Sequence, residues 1–89
     1  MHLSSILVVT DPTTTHQCAR DLEALRGVGV HYLYPDSGRI IAVQESSTSK
    51  DQAAGLLRIQ ALESVRLAAL VEHRVDPESE IEENGNSQV

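Results

Sequence analysis

Four stretches of the chain are dense in apolar residues, and polar segments rich in Gly, Pro, Ser and Thr separate them. Their short lengths and their content of Val and Ile predict four β-strands. The first strand is expected to start near Leu3 and end at residue 9. The other three predicted strands cover residues 28–34, 38–45 and 65–75.

The segment between the first two predicted strands has helical spacing instead. Asp and Pro at 11–12 favour a helix start, because Asp caps free backbone N–H groups and Pro suits the first helical position. Cys18, Leu22 and Leu25 follow at spacings of four and three residues, which places them on one helical stripe. We therefore expect Cys18 in the core, and Gly27 as the residue that ends the helix.

A second and weaker helical pattern precedes the last strand. Ser49 stands three residues before Gln52, a spacing that predicts a capping box at the start of the helix. Leu56 and Leu57 contribute to its apolar stripe, whereas Gly55 lowers the helix propensity.

The predicted order is strand, helix, strand, strand, helix, strand, with a Ser-Gly turn at 37–38 joining the two middle strands as a hairpin. Two such β-α-β units predict an α+β protein with the ferredoxin-like βαββαβ plan. Its four-stranded antiparallel sheet carries both helices on one face, because both crossovers are right-handed.

The predicted third strand is apolar on both faces, since Ile40 to Val43 are four consecutive apolar residues and successive side chains of a strand alternate in direction. Arg39 and Glu45 share the parity of Ile41 and Val43, which indicates that this side faces away from the helices. Charge parity assigns the fourth strand in the same way, the second strand is assigned by its weaker apolar set, and the first strand is assigned by elimination. The predicted set is Leu7, Val9, His31, Leu33, Ile41, Val43, Leu70 and Glu72.

An uncovered sheet face with this many apolar residues predicts an interaction surface. Self-association through the same face is an equally weighted alternative, because symmetric dimers are the commonest oligomers.

Charge is unevenly distributed along the 89 residues, whose net charge is −6. Five acidic residues and no basic residue lie between 76 and 89, so the part up to residue 75 is close to neutral. This composition predicts one domain over residues 1–76 and a disordered acidic tail over 77–89. With one cysteine and no basic residue before the first apolar run, the sequence predicts a cytoplasmic protein without a disulfide.

No catalytic or metal-ligating pattern stands out. Four scattered histidines and a single cysteine lack the spacing of metal ligands. The segment after the first strand has neither glycine nor base with which to hold a phosphate, and Asp11 would repel one. Both tyrosines lie on the second strand, which disfavours base stacking on the sheet. We therefore expect no enzymatic activity, no cofactor and no nucleic-acid partner.

Several segments taken in order resemble the NapD family. They are SSILV at 4–8, LRGVGVHYL at 25–33, DSGRIIAV at 36–43 and ALVEH at 69–73. The resemblance covers about residues 4–75. Near the end, the family pattern is similar to Leu-Val-Tyr-His, and this chain has Glu72 at the place of the tyrosine.

The resemblance implies a cytoplasmic chaperone with a ferredoxin-like fold. Members of the family bind the twin-arginine signal peptide of the periplasmic nitrate reductase catalytic subunit as a helix against the sheet. Binding restrains export while the molybdenum cofactor is inserted. A small-molecule-sensing or dimerising regulatory module of the same fold is the alternative. The partners considered also include a second copy of the chain in a weak homodimer.

Overall fold

The computed structural model describes residues 1–75, which form four strands and two α-helices in the order β-α-β-β-α-β. The predicted tail, residues 77–89, and the last residue of the predicted domain, 76, lie outside the described residues. The elements are β1 (His2–Val9), α1 (Thr15–Glu23), β2 (Val28–Tyr34), β3 (Arg39–Ser46), α2 (Ser49–Gln60) and β4 (Leu67–Val75).

The four strands form one sheet in the order β2-β3-β1-β4. The central strand β1 pairs antiparallel with both β3 and β4, and β2 pairs antiparallel with β3. This is the ferredoxin-like arrangement, and it confirms the predicted fold class.

Both helices lie on one face of the sheet, where their apolar stripes meet the apolar residues of the strands in a single core. The strands contribute alternate residues to this core, because only every second side chain of a strand points to the same face. The buried apolar residues are Ile6, Val8, Cys18, Leu22, Ile40, Ala42, Ile59 and Ala68. The expectation that Cys18 is a core residue is confirmed. None of the helices within residues 1–75 is long and apolar enough to cross a membrane.

The segment after β1 begins as predicted but ends earlier. Asp11 caps a short 3-10 helix, Pro12–Thr14, by accepting a 2.9 Å hydrogen bond from the backbone N–H of Thr13. The α-helix then ends at Glu23, not next to Gly27. Gly27 instead forms the turn into β2 with a positive φ of 79°, and a Cβ there would lie 2.7 Å from the carbonyl oxygen of Glu45. Glycine is therefore required at residue 27 by the turn into β2 and by the close approach of β3, not by the end of the helix.

The start of α2 lies one residue before the predicted capping box. Thr48 has an extended backbone and its hydroxyl accepts a 3.0 Å hydrogen bond from the backbone N–H of Asp51. The prediction that Ser49 is the cap was wrong by one residue, because Thr48 and Ser49 are both suitable caps and only Thr48 takes the non-helical conformation that a cap needs.

Gly55 lets α2 approach the sheet closely at a buried glutamine. Gln44 on β3 is 2% exposed and donates a 3.0 Å hydrogen bond from Nε2 to the backbone carbonyl of Gln52 on α2. A Cβ at Gly55 would lie 2.3 Å from Oε1 of Gln44, well inside van der Waals contact. The glycine that weakens the helical pattern therefore provides space for a polar link between helix and sheet.

We predict that Gly55→Ala destabilises the protein, although the same change in an exposed helix would stabilise it. The added methyl group must displace Gln44, and overpacking of this kind costs about 1–3 kcal/mol. Thermal melting of Gly55→Ala, Gln44→Ala and the double variant provides the measurement. Gly55→Ala should be better tolerated when residue 44 is already Ala. A higher melting temperature for Gly55→Ala alone would contradict the account.

Candidate functional interface

The sheet face opposite the helices, called here the open face, is covered by neither helix of residues 1–75. Antiparallel partners point to the same side of a sheet, so the strand register shows which residues share this face. Leu7 pairs with Ile41, and Val9 pairs with Arg39. Their sequence neighbours Ile6, Val8 and Ile40 are fully buried against the helices, whereas Leu7, Val9 and Ile41 are only partly buried.

Two adjacent rows of side chains form the apolar centre of the open face. The first row crosses all four strands, because Leu7 has Ile41 as its partner on one side and Ala69 on the other, and Ile41 also pairs with Tyr32. The second row consists of Tyr34, Arg39, Val9 and Leu67. The predicted placement of Leu7, Val9, Ile41 and Val43 on this face is confirmed.

β2 places different residues on the open face than the sequence pattern predicted. The register between β2 and β3 shifts between Val30 and Tyr32, so that His31 is an extra residue without a partner. One extra residue reverses the alternation that follows it. Leu33 therefore pairs with buried Ile40 and packs on the core, and its predicted position on the open face was wrong. His31 itself is exposed at the bulge.

The same bulge places both tyrosines of the chain on the open face. Tyr32 is 60% exposed and Tyr34 is 49% exposed. Their rings stack with centroids 6.4 Å apart and planes inclined by 23°. Neither tyrosine was predicted on this face, because an uninterrupted alternation through β2 assigns both to the core. Their hydroxyl groups were a usable signal, since a buried tyrosine needs a hydrogen-bond partner whereas an exposed one is satisfied by water.

The register between β1 and β4 also shifts, and this shift places the two residues predicted on β4, Leu70 and Glu72, on opposite faces of the sheet. Leu70 pairs with buried Ile6, which directs it to the helix side of the sheet. Its predicted position on the open face was therefore wrong; it is 42% exposed on an edge strand. The register then shifts, and Glu72 pairs with Ser5 on the open face as predicted. The extra residue at Val71 explains why one alternation could not fit both Leu70 and Glu72.

Charged residues of the open face lie at its ends. Arg39 stands between Tyr34 and Val9 at one end, and Glu45 pairs with Leu3 at the other. Glu72 lies near the Glu45 end, with Nε of Arg74 3.8 Å from one of its carboxylate oxygens. The side chains of Glu72 and Arg74 are both more than half exposed, so their attraction is weak.

The described part of the chain does not bring together three or more His, Cys, Asp or Glu side chains in a group that could hold a metal ion. The one close histidine pair, His2 and His73, shares a 3.0 Å hydrogen bond between ring nitrogens and stacks at a centroid distance of 5.1 Å. The apolar, partly aromatic open face is therefore the main candidate site.

The sequence of this protein was compared with models of known protein families. The model of the NapD protein matches residues 1–77. This match covers most of the 89 residues. The chain belongs to the NapD family. The family resemblance seen in the sequence is thereby confirmed. The sequence matches no curated protein at a significant level.

Two solved structures share the NapD-like fold of this chain. The solution structure of the Escherichia coli Tat proofreading chaperone protein NapD is 22% identical with a TM-score of 0.76, and the match covers 98% of this chain and 85% of that one. The crystal structure of a hypothetical protein from Pyrococcus horikoshii is 19% identical with a TM-score of 0.69, covering 84% of this chain and 90% of that one. At these identities the likeness establishes the fold.

Adjacent residues should respond oppositely to a charge if the faces are as described. We predict that Ile41→Glu and Tyr32→Glu leave the protein folded, because a charge on the open face stays in water. Ile40→Glu and Leu33→Glu should unfold it or lower its melting temperature strongly, because an unpaired charge would be buried under the helices.

Thermal melting of the four variants measures the difference in stability. Ile40→Glu and Ile41→Glu control for each other, as do Tyr32→Glu and Leu33→Glu, because the two residues of each pair are neighbours in sequence. A stable Leu33→Glu together with an unfolded Tyr32→Glu would show that β2 has no bulge at His31.

Proposed function

We propose that this protein is a cytoplasmic chaperone that binds the twin-arginine signal peptide of the periplasmic nitrate reductase catalytic subunit. Binding restrains export until cofactor insertion and folding of the reductase are complete. The observation that carries the proposal is the open face, an apolar and partly aromatic sheet surface that neither helix of residues 1–75 covers. Membership of the NapD family and the likeness to a Tat proofreading chaperone support it.

An apolar peptide helix suits this surface in size. Neighbouring strands are about 4.8 Å apart, so four strands span about 14 Å, and an α-helix with its side chains is about 10–12 Å wide. A docked helix would cover Leu7 and Ile41 on the central strands and meet Tyr32 on the β2 edge. It would supply the missing third layer of the sandwich in the helix-in-groove mode of recognition.

The composition of the surface also suits a signal peptide. The hydrophobic stretch of such a peptide has no charge with which to match a polar site, so shape and apolar contact must provide the affinity. Tyr32 and Tyr34 offer large ring surfaces at low conformational cost, a property that makes tyrosine common in binding sites. Val9 and Leu67 continue the row of Tyr34 towards β4.

A second copy of the chain is the alternative occupant of the open face. The large exposure of Tyr32 and Leu67, which are 60% and 54% exposed, suits this occupant equally well. A face-to-face dimer would bury the same residues as a bound peptide. The two occupants make different predictions for oligomeric state, which the next experiment separates.

We predict that Ile41→Glu weakens binding of a synthetic twin-arginine signal peptide by on the order of tenfold or more while the protein stays folded. The new charge is wet in the free protein and loses its water in the complex, where nothing pairs with it. Calorimetric titration measures the affinity. The matched control is Leu57→Glu, which places the same charge on an exposed apolar residue of α2, in the layer of helices.

Equal affinities of Ile41→Glu and the unaltered protein would remove the open face as the peptide site. If Ile41→Glu instead converts a dimer to a monomer, seen by sedimentation, and leaves peptide affinity unchanged, the open face is a dimer interface.

A further inference from the structure

The charged residues at the two ends of the open face differ in sign. Along β1 the open face runs from Leu3, which pairs with Glu45, to Val9, which pairs with Arg39. The two ends are six residues apart, which is about 20 Å in a strand. About 13 residues of α-helix have the same length. A signal-peptide helix of that length therefore reaches both ends at once.

The carboxylates at the first end lie on the two strands that flank β1. Glu45 is on β3 and Glu72 is on β4, and both are exposed and project from the open face. Two strand spacings separate them laterally, about 10 Å. Successive residues of a helix point about 100° apart, so two consecutive arginines on a docked helix splay to opposite sides. A helix lying over β1 would direct one guanidinium towards Glu45 and the other towards Glu72.

The opposite end is apolar and carries one exposed basic residue. In the last complete row of the open face Arg39 lies between Tyr34 and Val9, and Leu67 follows on the other side of Val9. Arg39 would repel the arginines of the peptide. It would attract the C-terminal end of the peptide helix, where unsatisfied carbonyl groups concentrate partial negative charge. The same helix dipole places partial positive charge at the N-terminal end, which favours the acidic end of the face.

We infer that the open face binds the signal-peptide helix in one direction, with its twin arginines straddling β1 between Glu45 and Glu72 and its apolar stretch running towards Tyr34 and Leu67. This inference rests on the proposed function. Charge, helix dipole and the position of the tyrosines all favour the same orientation. Arg74 beside Glu72 then acts as a competitor that an incoming peptide arginine displaces.

Paramagnetic labelling of the peptide tests the direction with the full chain of 89 residues. A nitroxide at the N-terminal end of a synthetic twin-arginine signal peptide should broaden the backbone amide signals of Leu3, Glu45 and Glu72. A nitroxide at the C-terminal end of its apolar stretch should broaden those of Tyr34, Arg39 and Leu67. The reverse pattern, or equal broadening at both ends by either label, would overturn the inferred direction while leaving the open face as the binding site.

Broadening confined to α1 and α2 would instead place the peptide away from the open face, and no broadening even in a large excess of peptide would overturn the proposed function itself. The two failures are therefore distinguishable in one set of spectra.

Charge variants test the arginine contacts separately. Glu45→Gln and Glu72→Gln should each weaken peptide binding by about two- to fivefold, the range for exposed ion pairs. Arg74→Gln should strengthen it, because Glu72 loses its competing partner. Glu23→Gln, an exposed acid at the end of α1, is the matched control and should have no effect.

The loss caused by Glu72→Gln should vanish when the peptide arginines are replaced by glutamine, which a double-mutant cycle measures. An undiminished loss with the arginine-free peptide, or weaker binding by Arg74→Gln, would overturn the proposed contact.

Discussion

Two helices cover one face of a four-stranded sheet, and the sheet of this protein is apolar on both faces. The central strands carry the conflict most clearly, since Ile40 is fully buried under the helices while its neighbour Ile41 lies on the other side with neither helix above it. Burial of apolar surface dominates the stability of folded and bound states alike. The open face therefore retains an unused capacity for burial, and the proposed function follows from supplying a third layer from another molecule.

Two β-bulges, each of one residue, determine which side chains the open face presents to a third layer. The extra residues at His31 in β2 and Val71 in β4 reverse the alternation of the strand residues that follow them. As a result, Leu33 joins the core and the two tyrosines turn outward. Bulges of this kind occur preferentially on edge strands, and β2 and β4 are the two edges of this sheet. The central strands remain regular, and Leu7, Val9, Ile41 and Val43 form the apolar part of their open face.

The regular parts of the protein were predictable because they depend on periodicity and local chemistry. The order of elements, the hairpin, buried Cys18 and the placement of Leu7, Val9, Ile41 and Val43 follow from alternation and helical spacing. The placement of Leu33 and Leu70 did not follow from alternation, since neither bulge contains a glycine that marks one, and in β2 the hydroxyl groups of Tyr32 and Tyr34 gave only an indirect signal. Bulges arise from the pairing of strands distant in sequence, a constraint that a local pattern does not contain. The peptide-binding role of these residues remains a proposal.

Methyl chemical shifts of the full chain, followed while an unlabelled twin-arginine signal peptide is added, test most directly whether the open face is the binding surface. The account predicts the largest changes at the methyl groups of Leu7, Val9, Ile41 and Val43, and smaller ones at buried Ile59. Leu57 on the outer surface of α2 should not change. Changes concentrated at Leu57 and other α2 residues, with Leu7 and Ile41 unaffected, would contradict the central claim.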